Sequence, residues 1–261
     1  MQSASYVNWV ASLNFDEAFI LLVVPISLIA GLGALFFRVL FGNFIGTTST
    51  VGQTKAGIAA EIYAVVLGFL VLFGFDHFNE TRRAVLLEAS LVDRLRAEAQ
   101  FISGDQTQFL AAVDTYIDTV LTKEWPRQEA GNTEALIAGG IMELDLSVRK
   151  AFASLDDASA IRSLEFVDEI NQQRATRLSA TPNAVVAGAI FQMLIVGLLL
   201  SVVTGWFVRG PSILVHMALS ALVSGSIVLL MVLSAQLTYP FTGTVSISKS
   251  SFSDLVRQEP I

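Results

Sequence analysis

The sequence predicts an all-α membrane protein with four transmembrane helices and a helical polar domain inserted between the second and third spans. Its 261 residues are 53% hydrophobic and 15% charged, with a mean hydropathy of +0.63, whereas a soluble domain is about 25% charged. Four long apolar stretches account for the excess. The polar segment between them has apolar residues at helical spacing, and no segment of any length alternates as a strand would.

Each apolar stretch is long enough to cross a bilayer, because a transmembrane helix needs roughly 20 apolar residues. The first does not resemble a secretory signal, since no Lys or Arg precedes it and Asp16 and Glu17 occupy the region that should be positive. We therefore expect a multi-pass integral protein of the lipid bilayer. The stretches are residues 19–37 and 184–208, which carry no charge, 56–75, which contains only Glu61, and 211–237, which contains only His216.

The expected domains follow these spans. Residues 1–75 form an N-terminal tail and the first two transmembrane helices, 76–180 the polar domain, 181–237 the last two transmembrane helices, and 238–261 an extended tail with a short helix. The polar domain holds 18 acidic and 11 basic residues, so it carries the whole net charge of −7. Such a domain is a poor partner for nucleic acid and concentrates cations at its surface.

The second span is expected to continue into the polar domain as one long helix. Residues 56–102 contain no proline, and their glycines all lie in the membrane part. An apolar stripe continues through Ala84, Leu87, Leu91 and Leu95. At 1.5 Å per residue such a helix would be about 70 Å long, roughly twice the thickness of the bilayer core.

Three further helices are expected in the polar domain. Residues 107–125 have a clear apolar stripe that Pro126 should stop. Residues 134–155 form the next helix, and another ends near Leu178. Thr181 is expected to cap the third span.

The tail after Pro240 is too apolar for a solvated segment. Phe241 opens it, an alternating stretch follows, and a short helix is expected at about residues 251–257. We expect Pro240 and Phe241 to dock the tail either along the polar domain or on a neighbouring subunit.

Three polar residues of the second span are candidate site residues. A carboxylate within a membrane is a functional candidate, but Glu61 lies about five residues from the start of its apolar run, where it suits the positive end of the helix. This position favours an interfacial residue. Asp76 and His77, beside Arg82 and Arg83, are expected to belong to an interfacial charge cluster.

Phe69 and Phe73 lie on one face of the second span, with Ile62 and Val66 roughly above them. A ring of such side chains from several subunits would form a hydrophobic constriction that can gate ions. Helix packing or lipid contact is the other interpretation, and the residues alone favour it in a chain with 18 Phe. Both stay open on the sequence.

The residues give no support for catalysis. The chain has no cysteine, and its two histidines lack the spacing of metal ligands. It has no nucleophile constellation and no phosphate-binding glycine loop. We therefore expect no enzyme activity, no metal and no cofactor.

The distribution of basic residues predicts the orientation. Four spans place both termini and the polar domain on one face of the membrane. Positive charge summed over all the spans favours a cytoplasmic location for that face, and we expect the plasma (inner) membrane. The first span alone points the other way, because the only positive charges near it follow it. The domain face has Arg82, Arg83, Arg94, Arg174, Arg177 and Lys249, against Arg38, Lys55 and Arg209 on the short-loop face.

Several motifs together resemble those of the bestrophin-like membrane protein family of bacteria and plants. They are the second-span run "YAVVLGFLVLFGFDHFNETRRAVLLEASLVDRL", the "VLTKEWP" segment, two closing spans and the "YPFTGTVSIS" tail. The likeness covers most of the chain from Gly57 onward. It departs from the family at Thr238 and Tyr239, where an Asp-Arg pair is common, and at Glu61, where Gly is common.

The resemblance implies a function. Bestrophins are pentameric ion channels whose second span lines an apolar neck, so Phe69 and Phe73, with Ile62 and Val66, would form that neck. The leading interpretation is a pentameric channel of identical subunits, with a slight preference for cations because its domain is acidic. The alternative is a non-conducting scaffold or accessory subunit that binds another membrane complex through its domain and tail.

Overall fold

The computed structural model describes residues 3–45, 50–102, 106–131, 139–152, 158–181, 184–207 and 212–257. Within these ranges every regular element is a helix, which confirms the all-α prediction. Two π-helical turns, Phe19–Val23 and Val120–Glu124, and one 3-10 turn, Glu98–Phe101, join or extend the helices. The helices are α1 (Ser3–Ser12), α2 (Phe15–Ala18), α3 (Val24–Ile45), α4 (Thr50–Ala97), α5 (Gln106–Thr119), α6 (Trp125–Glu129), α7 (Gly139–Ala151), α8 (Ala158–Ser179), α9 (Ala184–Trp206), α10 (Ile213–Thr238) and α11 (Ser250–Arg257).

Among the described residues, four helical segments are long and apolar enough to cross a membrane, as predicted. They are Phe15–Phe41, Gly57–Phe101, Val186–Trp206 and Ile213–Thr238. The first begins four residues before the predicted apolar stretch. At this start the backbone N–H of Asn14 donates to the carboxylate of Glu17, 3.0 Å away, which satisfies one donor of the chain entering the helix.

The predicted long helix is confirmed. α4 is continuous over 48 residues, which corresponds to about 72 Å, and it starts before residue 56. The predicted stripe is right at Ala84, Leu91 and Leu95, which are buried, but Leu87 is 48% exposed. Glu88 is buried instead, and its carboxylate forms an ion pair with Arg177.

The chain divides into two compact units. The membrane unit comprises Met1–Asp76, Pro182–Tyr239 and Gly243–Val245, and the polar unit comprises His77–Thr181, Pro240–Thr242 and Ser246–Ile261. α4 contributes to both, with its division at Asp76 and His77.

In the membrane unit, α3, α9 and α10 pack together with α1. The Tyr6 hydroxyl donates to the Gly188 carbonyl at 2.9 Å, and the Tyr63 hydroxyl donates to the Leu194 carbonyl at 2.9 Å. The Tyr63 ring lies against Gly197 so closely that a Cβ there would overlap it. Helix α1 belongs to this core through Val7, Val10 and Ala11, although the sequence predicts only a tail there.

In the polar unit, α5, α7 and α8 pack with the end of α4 around one apolar core. The tail closes this core, because Phe241, Ile247, Phe252 and Leu255 are all buried in it. The tail is therefore packed on the apolar core of the polar unit in its own chain.

Two local predictions are wrong. Pro126 does not stop its helix, because a π turn precedes it and α6 carries it in its first turn, where a missing N–H is tolerated. The Thr181 hydroxyl is buried and makes no hydrogen bond with the described residues, so it does not cap α9, whose described part begins at Ala184. Pro182 and the first residues of the predicted 134–155 helix lie outside the described residues.

Candidate functional site

The apolar face of α4 is exposed in the single chain. Phe69 and Phe73 are 54% and 64% exposed, and Ile62 and Val66 are also exposed. The buried side of the helix contacts the core of the membrane unit through residues such as Leu67. The four predicted neck residues therefore make few contacts within their own chain.

The two phenylalanines form a pair along the helix. Their ring centroids lie 6.2 Å apart with an interplanar angle of 22°, an offset arrangement that aromatic rings favour. Spacing of four residues places both rings on one side of α4. The pair thus presents one continuous aromatic surface that is exposed on the membrane unit.

Ile62 and Val66 also line an apolar groove between α4 and α9. The groove has a volume of about 460 Å³, and Gly197 and Tyr63 are among its lining residues. Phe69 and Phe73 are not among its lining residues. The structure therefore divides the four predicted neck residues into two pairs. Ile62 and Val66 line the groove beside α9, whereas Phe69 and Phe73 do not.

The three polar candidates have different surroundings. Glu61 and Asp76 are exposed. Asp76 follows Phe69 by seven residues and Phe73 by three, so it lies on the same side of the helix as the aromatic pair. In the polar unit, the His77 imidazole Nε2 lies 3.0 Å from the Ala180 carbonyl oxygen. This contact joins the two ends of the segment His77–Thr181. His77 and Asp76 therefore have separate surroundings.

The polar unit contains a buried charge network that the sequence does not predict. Arg177 of α8 donates to both carboxylate oxygens of Glu88 on α4, at 2.7 and 2.9 Å. It also donates to Glu124 at 2.7 Å and to Gln128 at 2.7 Å. None of these four side chains is more than 3% exposed.

Arg174 completes the network and makes it neutral. Its Nε donates to Glu124 at 2.9 Å, and spacing of three places it on the same face of α8 as Arg177. Two carboxylates thus face two guanidinium groups. Buried charges are tolerated only when they are paired and hydrogen-bonded, and this set meets both conditions.

The phenol of Tyr116 belongs to the same network. Its hydroxyl donates to Glu88 at 2.7 Å. Burial, together with the negative charge of Glu88, raises the pKa of the Tyr116 phenol well above its ordinary value of 10. Burial alone would lower the pKa of the Arg177 guanidinium, but Glu88 outweighs it and the pKa is raised. Both groups therefore hold their protons.

The network joins two of the motifs on which the family resemblance rests. Glu124 and Trp125 come from "VLTKEWP", and the Trp125 ring contacts Phe241 of the tail motif edge-on, with centroids 5.3 Å apart. Phe252 also meets Trp125 at 6.4 Å, and the Arg177 guanidinium carbon lies 5.9 Å from the Phe252 ring centroid. The two motifs thus form one structural junction, and Phe241 is part of it.

These ion pairs correct one sequence-based argument. Arg174 and Arg177 are counted above among the charges that predict a cytoplasmic domain. Both are buried and neutralised by carboxylates, so neither contributes positive charge to the membrane surface. Helical positions spaced by three give no signal of burial. The family motifs contain two members of the network, Glu88 in the second-span run and Glu124 in "VLTKEWP".

The described residues contain no group of three or more His, Asp and Glu side chains arranged to hold a metal ion. A family model described as "Bestrophin-like domain" matches residues 23–252. The match begins earlier than the likeness seen in the sequence and includes most of the first span. No curated protein and no solved structure matches the chain.

Proposed function

Because this chain belongs to the bestrophin-like family, we propose that it forms a homo-oligomeric, pentameric ion channel in which α4 of each subunit lines the pore. The observation that carries the proposal is the exposure of α4. Only 6% of its apolar window is buried, against 17% to 28% for the other three candidate spans. We place the channel in the plasma (inner) membrane, with the polar unit and termini cytoplasmic.

An exposed apolar helix fits the inside of a ring. In a ring of identical subunits, the two flanks of α4 contact neighbours and one face is left to the pore. Exposed side chains occur on several sides of the helix, including Val65 and Leu72 as well as the aromatic pair. The aromatic face then forms a hydrophobic constriction, which gates ions by dewetting.

Asp76 supports the proposed preference for cations. It is exposed and lies on the side of α4 that carries Phe69 and Phe73. In a ring of subunits it would supply a ring of carboxylates, and such rings favour cations over anions. The net charge of −7 in residues 76–180 acts in the same direction.

Reconstitution tests the channel directly. Purified protein in planar bilayers should conduct, and Phe69→Ala with Phe73→Ala should change the conductance or gating. Phe75→Ala is the matched control, because Phe75 is 52% exposed on the same helix but points about 200° away from Phe73. Silence under varied ions and pH, together with a monomeric mass, would contradict the proposal.

Selectivity is tested separately by Asp76→Asn. In a salt gradient the reversal potential of the wild-type channel should have the sign expected for cation selectivity. The reversal potential of the variant should be closer to zero, because the carboxylate ring is lost. Asp93→Asn is the control, since Asp93 is exposed on another side of α4. An unchanged potential in a conducting Asp76→Asn channel would refute the role of Asp76 alone.

Exposed apolar side chains on the polar unit favour a second candidate function, an accessory subunit of a larger complex. Met142 and Leu146 of α7 are 62% and 46% exposed and four residues apart, so they share a face that can bind another protein. Native mass spectrometry separates the two functions. A closed ring of identical subunits supports the channel, and one or two copies beside other proteins support the accessory subunit.

A further inference from the structure

Two nitrogen atoms in the membrane unit are buried without a partner. They are Nη1 of Arg38, near the end of α3, and Nε2 of His216, near the start of α10; neither makes a hydrogen bond with the described residues. Arginine is always charged in proteins. Arg38 is only half-buried, but its Nη1 is shielded from solvent without a hydrogen bond. An unpaired buried polar group is costly, so a bound anion would stabilise this end of the membrane unit.

The two side chains lie at the same end of the helix pair. α3 and α10 pack closely, since a Cβ at Gly31 would lie 3.2 Å from the Met217 carbonyl oxygen. Helical side chains lean towards the N-terminus of their helix, so Arg38 leans back towards the level of His216.

The neighbouring helices supply no counter-ion. Residues 18–60 and 170–253 contain no Asp or Glu, and these ranges include all of α3, α9 and α10. Glu61, just beyond the first range, is exposed on α4 and forms no ion pair with Arg38 among the described residues. An anion for Arg38 therefore has to come from outside these helices.

An aromatic cluster beside Arg38 marks the depth of this site. The Phe37 ring lies 4.9 Å from Phe41, 5.4 Å from Trp206 and 4.9 Å from Phe207, measured between ring centroids. Trp206 donates its indole N–H to the Ala30 carbonyl at 3.0 Å. Tryptophan side chains such as Trp206 gather at the level of the lipid headgroups, which is where phosphate groups are abundant.

We propose that Arg38 and His216 bind the phosphate of an anionic phospholipid at this end of the membrane unit. The planar guanidinium matches the oxygens of a phosphate with two parallel hydrogen bonds, and the imidazole Nε2–H supplies a third donor. A phosphodiester keeps its negative charge at every physiological pH. The aromatic cluster packs against the adjoining glycerol and acyl chains.

Lipid binding to delipidated protein in neutral detergent tests the site without any conductance measurement. The probes are phosphatidylglycerol, phosphatidylcholine with the same chains, and inorganic phosphate. Phosphatidylglycerol should raise the thermal unfolding midpoint and remain bound in native mass spectrometry. Arg38→Gln should weaken its binding about tenfold, which corresponds to the loss of one or two charge-assisted hydrogen bonds. Arg83→Gln, an exposed arginine of the polar unit, should bind like the wild type.

Each other result refutes the proposal. Equal phosphatidylglycerol binding by wild type and Arg38→Gln would exclude Arg38 as the ligand, and an equal shift with phosphatidylcholine would exclude recognition of the anionic headgroup. A midpoint shift with inorganic phosphate alone would assign the site to the free ion. If Arg38→Gln does not fold, His216→Leu provides the test, and it should bind phosphatidylglycerol more weakly than the wild type does.

Discussion

Arg177 donates two parallel hydrogen bonds to Glu88, of 2.7 and 2.9 Å, and neither side chain is exposed to solvent. The pair links α8 to α4 across 89 positions of the chain. Because Glu88 lies on the helix that contains the second span, this contact organises the polar unit around that helix.

Removing one partner of this pair should be strongly destabilising. Glu88→Gln leaves the Arg177 guanidinium with less compensating charge in a buried site, and we expect a loss of about 3–5 kcal/mol in the free energy of unfolding. Denaturant unfolding of the detergent-solubilised protein measures this loss. The control is Arg149→Met, which removes an exposed pair with Asp145 on α7 and should leave the unfolding midpoint nearly unchanged. Similar midpoints for both variants would contradict a structural role for the buried pair.

The raised pKa of Tyr116 predicts a stability change in alkaline solution. A phenol whose pKa is higher in the folded protein stabilises the fold fully below its unfolded pKa of about 10, and this contribution is lost as the pH rises through the folded value. Tyr116→Phe removes both the hydrogen bond to Glu88 and the titration. The variant should be less stable at pH 8, and its difference from the wild type should shrink between pH 10 and 11. A difference independent of pH would mean that Tyr116 titrates normally.

The contact of Phe241 with Trp125 predicts that this ring is one of the anchors of the tail. Phe241→Ala should cost about 3–5 kcal/mol, as expected for a buried Phe, and should expose the tail to protease. Limited proteolysis followed by mass spectrometry detects cleavage after residue 241. Phe101→Ala is the control, because Phe101 is 54% exposed in the same unit. Equal cleavage of wild type and Phe241→Ala would show that the ring does not hold the tail.

The close approach of Tyr63 to α9 predicts different tolerance at two glycines of one helix. A Cβ at Gly197 would come within 2.6 Å of the Tyr63 ring atom Cδ2, whereas nothing lies within 4 Å of a Cβ at Gly205. Gly197→Ala should therefore lower the thermal unfolding midpoint by forcing Tyr63 away from its bond to Leu194. Gly205→Ala should preserve or raise the midpoint, since Ala is the better helix former. The reverse order would refute the packing described for the membrane unit.

Features set by neighbouring residues could be predicted well. The four spans and the unbroken course of α4 follow from hydropathy and from the absence of proline, both of which act within a few turns of helix. The family was also recognised from its motifs. The boundaries were less accurate at Thr50 and Pro126, where a helix start and a π turn depend on details that the composition does not reveal.

The sequence by itself determined that this chain is a helical membrane protein with one long helix and an acidic polar segment, because apolar length and charge content act locally. Only the tertiary structure decided that Glu88, Glu124, Arg174 and Arg177 are buried. In a helix these residues have the pattern of solvated charges, and their desolvation is offset only by partners brought from up to 89 positions away. The same folding unites the "VLTKEWP" and tail motifs at Trp125 and Phe241, and leaves the Phe69 and Phe73 face exposed in the part of the chain that the structure describes.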